Sequence, residues 1–148
     1  MTEDELQKLL EKTLPPADLH GLFVEECQDD VRLRFSPGPD GRWSTVALLS
    51  IVDTSLRAAS GLEATLIHLN VTVLKPAQVA DVIAIARVIR RDGQSLHAEA
   101  WLFSHAVVDP MLHATATLKR PEAASFQAPS TTVTMSRMIW VISKSLGV

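Results

Sequence analysis

Apolar residues recur along this chain with two periods, one helical and one strand-like, and each change of period marks a new element. Over residues 2–13, Leu6, Leu9 and Leu10 share one helical face. Thr2 stands three positions before Glu5, the spacing of a capping box, and Pro15-Pro16 stops the helix. Residues 21–27 and 31–35 alternate instead. In the second of these, Val31, Leu33 and Phe35 face one side while Arg32 and Arg34 face the other, which predicts a half-buried strand. Gln28-Asp29-Asp30 between them is a turn signal.

Ser36-Pro37-Gly38-Pro39-Asp40-Gly41 is the strongest loop signal in the chain. Residues 43–59 then run without Gly or Pro. Val46, Ala47, Leu49, Ile51 and Val52 recur at helical spacing and predict a mostly buried helix. Ser44 or Thr45 can cap its start, and Ser60-Gly61 ends it. From residue 65 the pattern predicts four strands, over 65–74, 81–91, 95–106 and 111–120. Lys75-Pro76 closes the first, Asp92-Gly93 suits a tight hairpin after the second, and Asp109-Pro110 joins the last two. One long helix and one antiparallel meander of this size predict an α+β fold, a curved sheet wrapped around the central helix.

Residues 121–130 read as a linker. Met135, Met138, Ile139, Ile142 and Leu146 then form a helical stripe, with Arg137 and Lys144 off it and Gly147 as a stop. The expected organisation is one domain over 1–120, including the N-terminal helix. A linker and a C-terminal amphipathic helix over 121–148 follow, the helix packing on its own domain or on a sister subunit.

Composition narrows the function classes. The chain has 148 residues, of which 47% are hydrophobic and 21% charged, so it can bury a core, and disorder is excluded as its main state. A formal net charge of -3 argues against a protein that coats nucleic acid or anionic membrane. No apolar run is long enough to span a bilayer, and the acidic start is unlike a signal peptide, so a cytoplasmic protein is expected. The single cysteine, Cys27, can form no internal disulfide and reads as a small buried apolar residue.

Asp53 is the main candidate for chemistry. It follows Leu48-Leu49-Ser50-Ile51-Val52, and a carboxylate in such a stretch must be paired or face a cavity. Arg57, four residues on, lies on the same helical face. It could be Asp53's structural partner, and it could also hold a catalytic Asp53 ionised. His20, His68, His97, His105 and His113 show no metal-binding spacing. His97, Glu99 and His105 are too spread along one strand to form a site, so no metal is expected. His68, Asn70 and Thr72 alternate with Ile67, Leu69, Val71 and Val73 and predict an outer sheet face, although Asn70 could touch a substrate. Neither Gly-x-Ser-x-Gly nor a phosphate-binding Gly-rich loop is present.

Three segments resemble the hotdog fold, and within it the PaaI-like acyl-CoA thioesterases. Residues 44–54 (STVALLSIVDT) are similar to the start of that family's central helix, where an acidic residue follows a His-Gly-Gly turn. Residues 65–77 (TLIHLNVTVLKPA) are similar to a strand that ends in a basic residue and Pro-Ala. Residues 88–100 (VIRRDGQSLHAEA) are similar to its strand, turn and strand. The family's His-Gly-Gly stands here as Ser44, Thr45 and Val46, so a β-branched side chain replaces a glycine that lets backbone approach the thioester.

The resemblance implies a homodimer, often a homotetramer, with sheets continuous across the dimer and active sites at the interface. It implies hydrolysis of an acyl-CoA or related thioester, with Asp53 as base or nucleophile and amides near Ser44, Thr45 and Val46 polarising the carbonyl. Asn70 would support the site. Lys75, Arg90 and Arg91 would hold the phosphates of coenzyme A, which is part of the substrate; no separate cofactor is implied. The alternative is a hotdog protein that binds an acyl or CoA ligand without catalysis, or serves a structural role.

Overall fold

The computed structural model describes residues 1–39, 41–105 and 108–121. The C-terminal helix expected from the stripe at 135–146, and the linker beyond Pro121, lie outside the described residues.

Helix α1 spans Glu3–Thr13. Its start is the capping box expected: the Glu5 N–H donates to Thr2 Oγ1 (3.2 Å) and the Thr2 N–H to Glu5 Oε1 (2.8 Å). Leu6 and Leu10 are buried and Leu9 is half exposed. A one-turn helix α2, Pro16–Leu19, follows where the sequence suggested only a stop. Its proline occupies a first-turn position, where the missing N–H does no harm. The next residue, His20, has left-handed backbone (φ 48°).

Strands β1 (Phe23–Cys27) and β2 (Val31–Phe35) form the first hairpin. Helix α3 is Thr45–Ser60. Strands β3 (Thr65–Val73), β4 (Val82–Asp92), β5 (Ser95–Ser104) and β6 (Leu112–Lys119) complete a six-stranded antiparallel sheet. Its order is β1-β2-β4-β5-β6-β3. The expected meander therefore covers β4, β5 and β6, while β3 crosses over to flank β6. Asp92-Gly93 turns the hairpin as read, with Gly93 at φ 65°.

The inner face of the sheet carries Leu33, Phe35, Ala84, Ala86, Leu96, Ala98, Ala100, Leu102, Ala114 and Leu118, all essentially inaccessible. Small alanines on β4, β5 and β6 let α3 lie close. Ile51, Val52 and Leu56 of α3 meet them with no exposure. Ser55 is buried beside them, its hydroxyl satisfied by donation to the Ile51 carbonyl (2.7 Å).

The burial of α3 differs from the expectation in one respect. Val46 is 77% exposed and Leu49 39%. A straight helix can present only one stripe to one sheet, and residues 51, 52, 55 and 56 fill that stripe. Val46, Leu49 and Asp53 recur on another side.

The two sheet edges are treated differently. Over β1, the Gln7 side chain of α1 receives the Val24 N–H (2.7 Å) and donates to the Leu22 carbonyl (3.1 Å), so a helix is stitched across that edge. Among the described residues, β3 has β6 on one side only. Ile67, Val73 and Leu74 along and beyond it are exposed.

Candidate active site

Ser44 is the N-cap of α3, and its Oγ accepts the Ala47 N–H (3.1 Å). An α-helix leaves its first N–H groups without intrahelical acceptors, so the amides of Thr45 and Val46 remain available. They carry the positive end of the helix dipole, in which sixteen residues are aligned.

The loop before this turn is pinned. Trp43, next to the cap, donates its indole N–H to the Ala80 carbonyl (2.8 Å), and the His20 ring meets the indole edge-on at 6.0 Å. Gly41 has φ 71°, and a Cβ there would lie 2.8 Å from Val79 Cγ1. The loops before α3 and before β4 thus hold each other beside the helix N-terminus. The sequence marked Gly41 only as part of a loop and His20 only as a histidine without metal-binding spacing, because these contacts join segments 23 to 38 positions apart. The left-handed His20 and the close approach at Gly41 leave no periodic signal.

Asp53 lies two turns along α3. Its Oδ2 receives Arg57 Nη2 at 3.1 Å, with the two side chains 39% and 25% exposed. The pairing expected from i, i+4 spacing is therefore present. The carboxylate is neither sealed in the core nor fully in solvent. Asp53 Oδ1 has no hydrogen-bond partner among the described residues, which leaves one oxygen for chemistry. The Arg57 Nε is buried without an acceptor among the described residues.

Val46 and Asp53 are seven residues apart. At 1.5 Å per residue and 3.6 residues per turn, they sit about 10 Å apart on nearly the same side of the helix. The exposed side of α3 therefore runs from the free amides, past Leu49, to the carboxylate.

The other candidates lie elsewhere. Asn70 pairs with Thr115 across β3 and β6, on the outer sheet face, away from α3. Lys75 forms an exposed ion pair with Asp109 (2.9 Å). Arg90 and Arg91 end β4 and border a groove of about 410 Å³ with Asp29 and Ala59, near the C-terminal end of α3. In one chain these residues do not converge with the Ser44–Val46 turn.

A polar cluster on the outer face was legible only in part. The alternation of His97, Glu99 and Trp101 put them on one side of β5, but their partners come from neighbouring strands. Arg87 Nε donates to Glu99 Oε2 (2.7 Å), His113 Nε2 lies 3.2 Å from Glu99 Oε1, and Trp101 stacks on His113 at 3.8 Å. Burial would push the Glu99 carboxyl up. The hydrogen bonds from Arg87 and His113 outweigh that and hold it below the ordinary carboxylate range. Among the described residues, no three His, Cys, Asp or Glu side chains come together as a metal site, and no helix is long and apolar enough to cross a membrane.

No protein-family model matches the sequence, and neither does any curated protein. The fold does have solved counterparts. A mutant thioesterase from Pseudomonas aeruginosa is similar over 80% of this chain and 93% of its own, with a TM-score of 0.67 and 17% identity. Thioesterase superfamily member 2 from Mus musculus is similar over 80% and 97%, with a TM-score of 0.68 and 11% identity. A mutant of the phenylacetic acid degradation protein PaaI from Thermus thermophilus is similar over 77% and 99%, with a TM-score of 0.61 and 16% identity. At these identities the likeness establishes the fold, which is the hotdog fold of these structures.

Proposed function

We propose that this chain is a thioester hydrolase acting on an acyl-CoA or a related acyl thioester, and that it works as a homodimer with active sites between subunits. The observation that carries this reading is the open side of α3, with free amides at one end and a half-exposed carboxylate two turns away.

The spacing itself argues for two subunits. Reacting atoms must approach to about 3–3.5 Å. Amides and a carboxylate whose Cα positions lie about 10 Å apart along one helix are a long reach for a single carbonyl, even with a water between. Two antiparallel copies of α3 across a twofold axis would bring Asp53 of one chain to the Thr45-Val46 amides of the other. The exposed Val46 and Leu49 lie on the surface that such a contact covers. The bare β3 edge, with its exposed Ile67 and Val73, is the edge that a second β3 could extend.

In the reaction, Asp53 takes a proton from water as the oxygen adds to the thioester carbonyl. The Thr45 and Val46 amides hold the oxyanion that forms. Collapse of the tetrahedral intermediate breaks the C–S bond, and the proton passes to the departing thiolate. Direct attack by Asp53, followed by hydrolysis of the mixed anhydride, uses the same atoms. Arg57 orients the Asp53 carboxylate through its contact at 3.1 Å. Lys75, Arg90 and Arg91 are assigned to the CoA phosphates, to which guanidinium and ammonium groups bind by charge-assisted hydrogen bonds. The reaction so written uses no metal or prosthetic group.

A second reading is favoured by one residue. Val46 places a β-branched side chain where a glycine would admit the thioester, so the cleft could hold an acyl or CoA ligand without turning it over. Thiol release from a panel of short, long and aromatic acyl-CoAs, run beside equilibrium binding of the same compounds, separates the two. Turnover supports hydrolysis, and binding without turnover supports the second reading.

A further inference from the structure

A cavity of about 750 Å³ lies at the opposite end of α3 from the Ser44–Val46 turn. The helix puts roughly 20 Å between the two places. The cavity is walled by Leu9 and Thr13 of α1, Ser60 at the end of α3, Leu62 after it, Gln94 at the β4–β5 hairpin tip, and Pro121 just past β6. Its volume far exceeds the ~30 Å³ share of a single water.

Two features show that the cavity is incomplete. Leu9 belongs to the apolar face of α1 yet is 37% exposed here. Ser60 is only 8% exposed, and its buried Oγ has no hydrogen-bond partner among the described residues. A buried hydroxyl without a partner is unfavourable by roughly 1–3 kcal/mol.

We propose that the cavity receives the chain's own C-terminal segment, through the stripe Met135, Met138, Ile139, Ile142 and Leu146. Pro121, the last described residue, lines the cavity. Thirteen residues lie between Pro121 and Met135, enough to span up to ~45 Å when extended, which is no constraint on reaching the site. The stripe is five apolar side chains with only Arg137 and Lys144 beside it. Glu63 on the cavity wall offers those cations a carboxylate, beside the wall's own cation, Arg120. A tethered segment also has the advantage of an effective concentration of roughly millimolar over any free partner. The proposal does not depend on the hydrolase reading, since it concerns the other end of α3.

The test is disulfide trapping in the full-length chain, with Cys27→Ala to remove the native thiol. Leu62→Cys is combined in turn with Met138→Cys, Ile139→Cys, Ile142→Cys, Arg137→Cys and Lys144→Cys. Docking predicts intrachain disulfides at 138, 139 and 142 forming roughly tenfold faster than at 137 and 144. A flat profile overturns the proposal, and so does a predominance of covalent dimers, which would place a sister copy in the cavity. Because Leu62→Cys can perturb folding, amide exchange in the otherwise native chain carrying Ile139→Asp supplies a second readout. Docking predicts exchange across residues 60–64 roughly tenfold faster, with residues 45–53 unchanged. Unchanged exchange at 60–64 overturns the proposal by itself.

Discussion

Replacing Asp53 with Asn tests the hydrolase reading most directly, because structure and chemistry predict effects of very different size. Asn keeps the shape of the side chain and an oxygen facing Arg57 Nη2, but it is neither a base nor a nucleophile. The ion pair it weakens is 39% and 25% exposed and rests on one contact at 3.1 Å. Pairs of that exposure contribute about 0–1 kcal/mol. In a chain of this size that corresponds to roughly 3 °C in melting temperature or less. A positioned general base contributes about 10²–10⁴-fold in rate, or roughly 3–5 kcal/mol of barrier. The variant should therefore melt within a few degrees of wild type and lose at least about a hundredfold in kcat/KM. The assay is thiol release from the best acyl-CoA of the panel, with thermal melting on the same preparation. Turnover within a few-fold of wild type in a folded variant would refute the role of Asp53. Activity lost in step with a large drop in melting temperature would reduce the residue to a structural one.

Thr45→Gly combined with Val46→Gly should raise turnover if the β-branched side chain crowds the thioester, while costing up to about 1 kcal/mol of stability per residue; unchanged turnover in a folded variant removes that explanation. Gly41→Ala should destabilise the chain by roughly 1–3 kcal/mol, because φ is 71° and Val79 Cγ1 lies 2.8 Å from the new methyl; an unchanged melting temperature would show that the two loops separate freely. Glu99→Gln should flatten the acid limb of stability. The folded carboxyl is depressed, so its contribution is present above the unfolded pKa of about 4.3 and is lost as pH falls through the lower folded value. Melting curves from pH 7 to 3 that run parallel for wild type and variant would contradict the pairing with Arg87 and His113.

Local signals carried much of this molecule into its sequence. Thr2 and Glu5 announced α1, Asp92-Gly93 announced a hairpin, and the Asp53–Arg57 spacing announced an ion pair. Each depends on residues within four positions of one another. What was not legible depends on distance. The crossover of β3 to β6 leaves no mark on the hydrophobic pattern, because β3 would alternate in the same way beside either neighbour. The exposure of Val46 and Leu49 was hidden for a related reason: helical periodicity says that a face is apolar, not which surface covers it. Glu99 read only as one of three residues too spread along a strand to hold a metal, until β4 and β6 supplied Arg87 and His113.

The position of β3 has a consequence for how the chain is made. Thr65 pairs with Lys119, roughly fifty residues later, whereas β4, β5 and β6 pair through short turns. During synthesis β3 emerges early and waits for its partner, while the strands after it can zip in order. Closing that long loop is the slow kind of step in topology-limited folding. Until it closes, Leu66, Leu69 and Val71 have no inner-face neighbour and both edges of β3 are open. His68, Asn70 and Thr72 between them, with Lys75-Pro76 immediately after, interrupt the apolar run and act as gatekeepers against aggregation of the nascent chain.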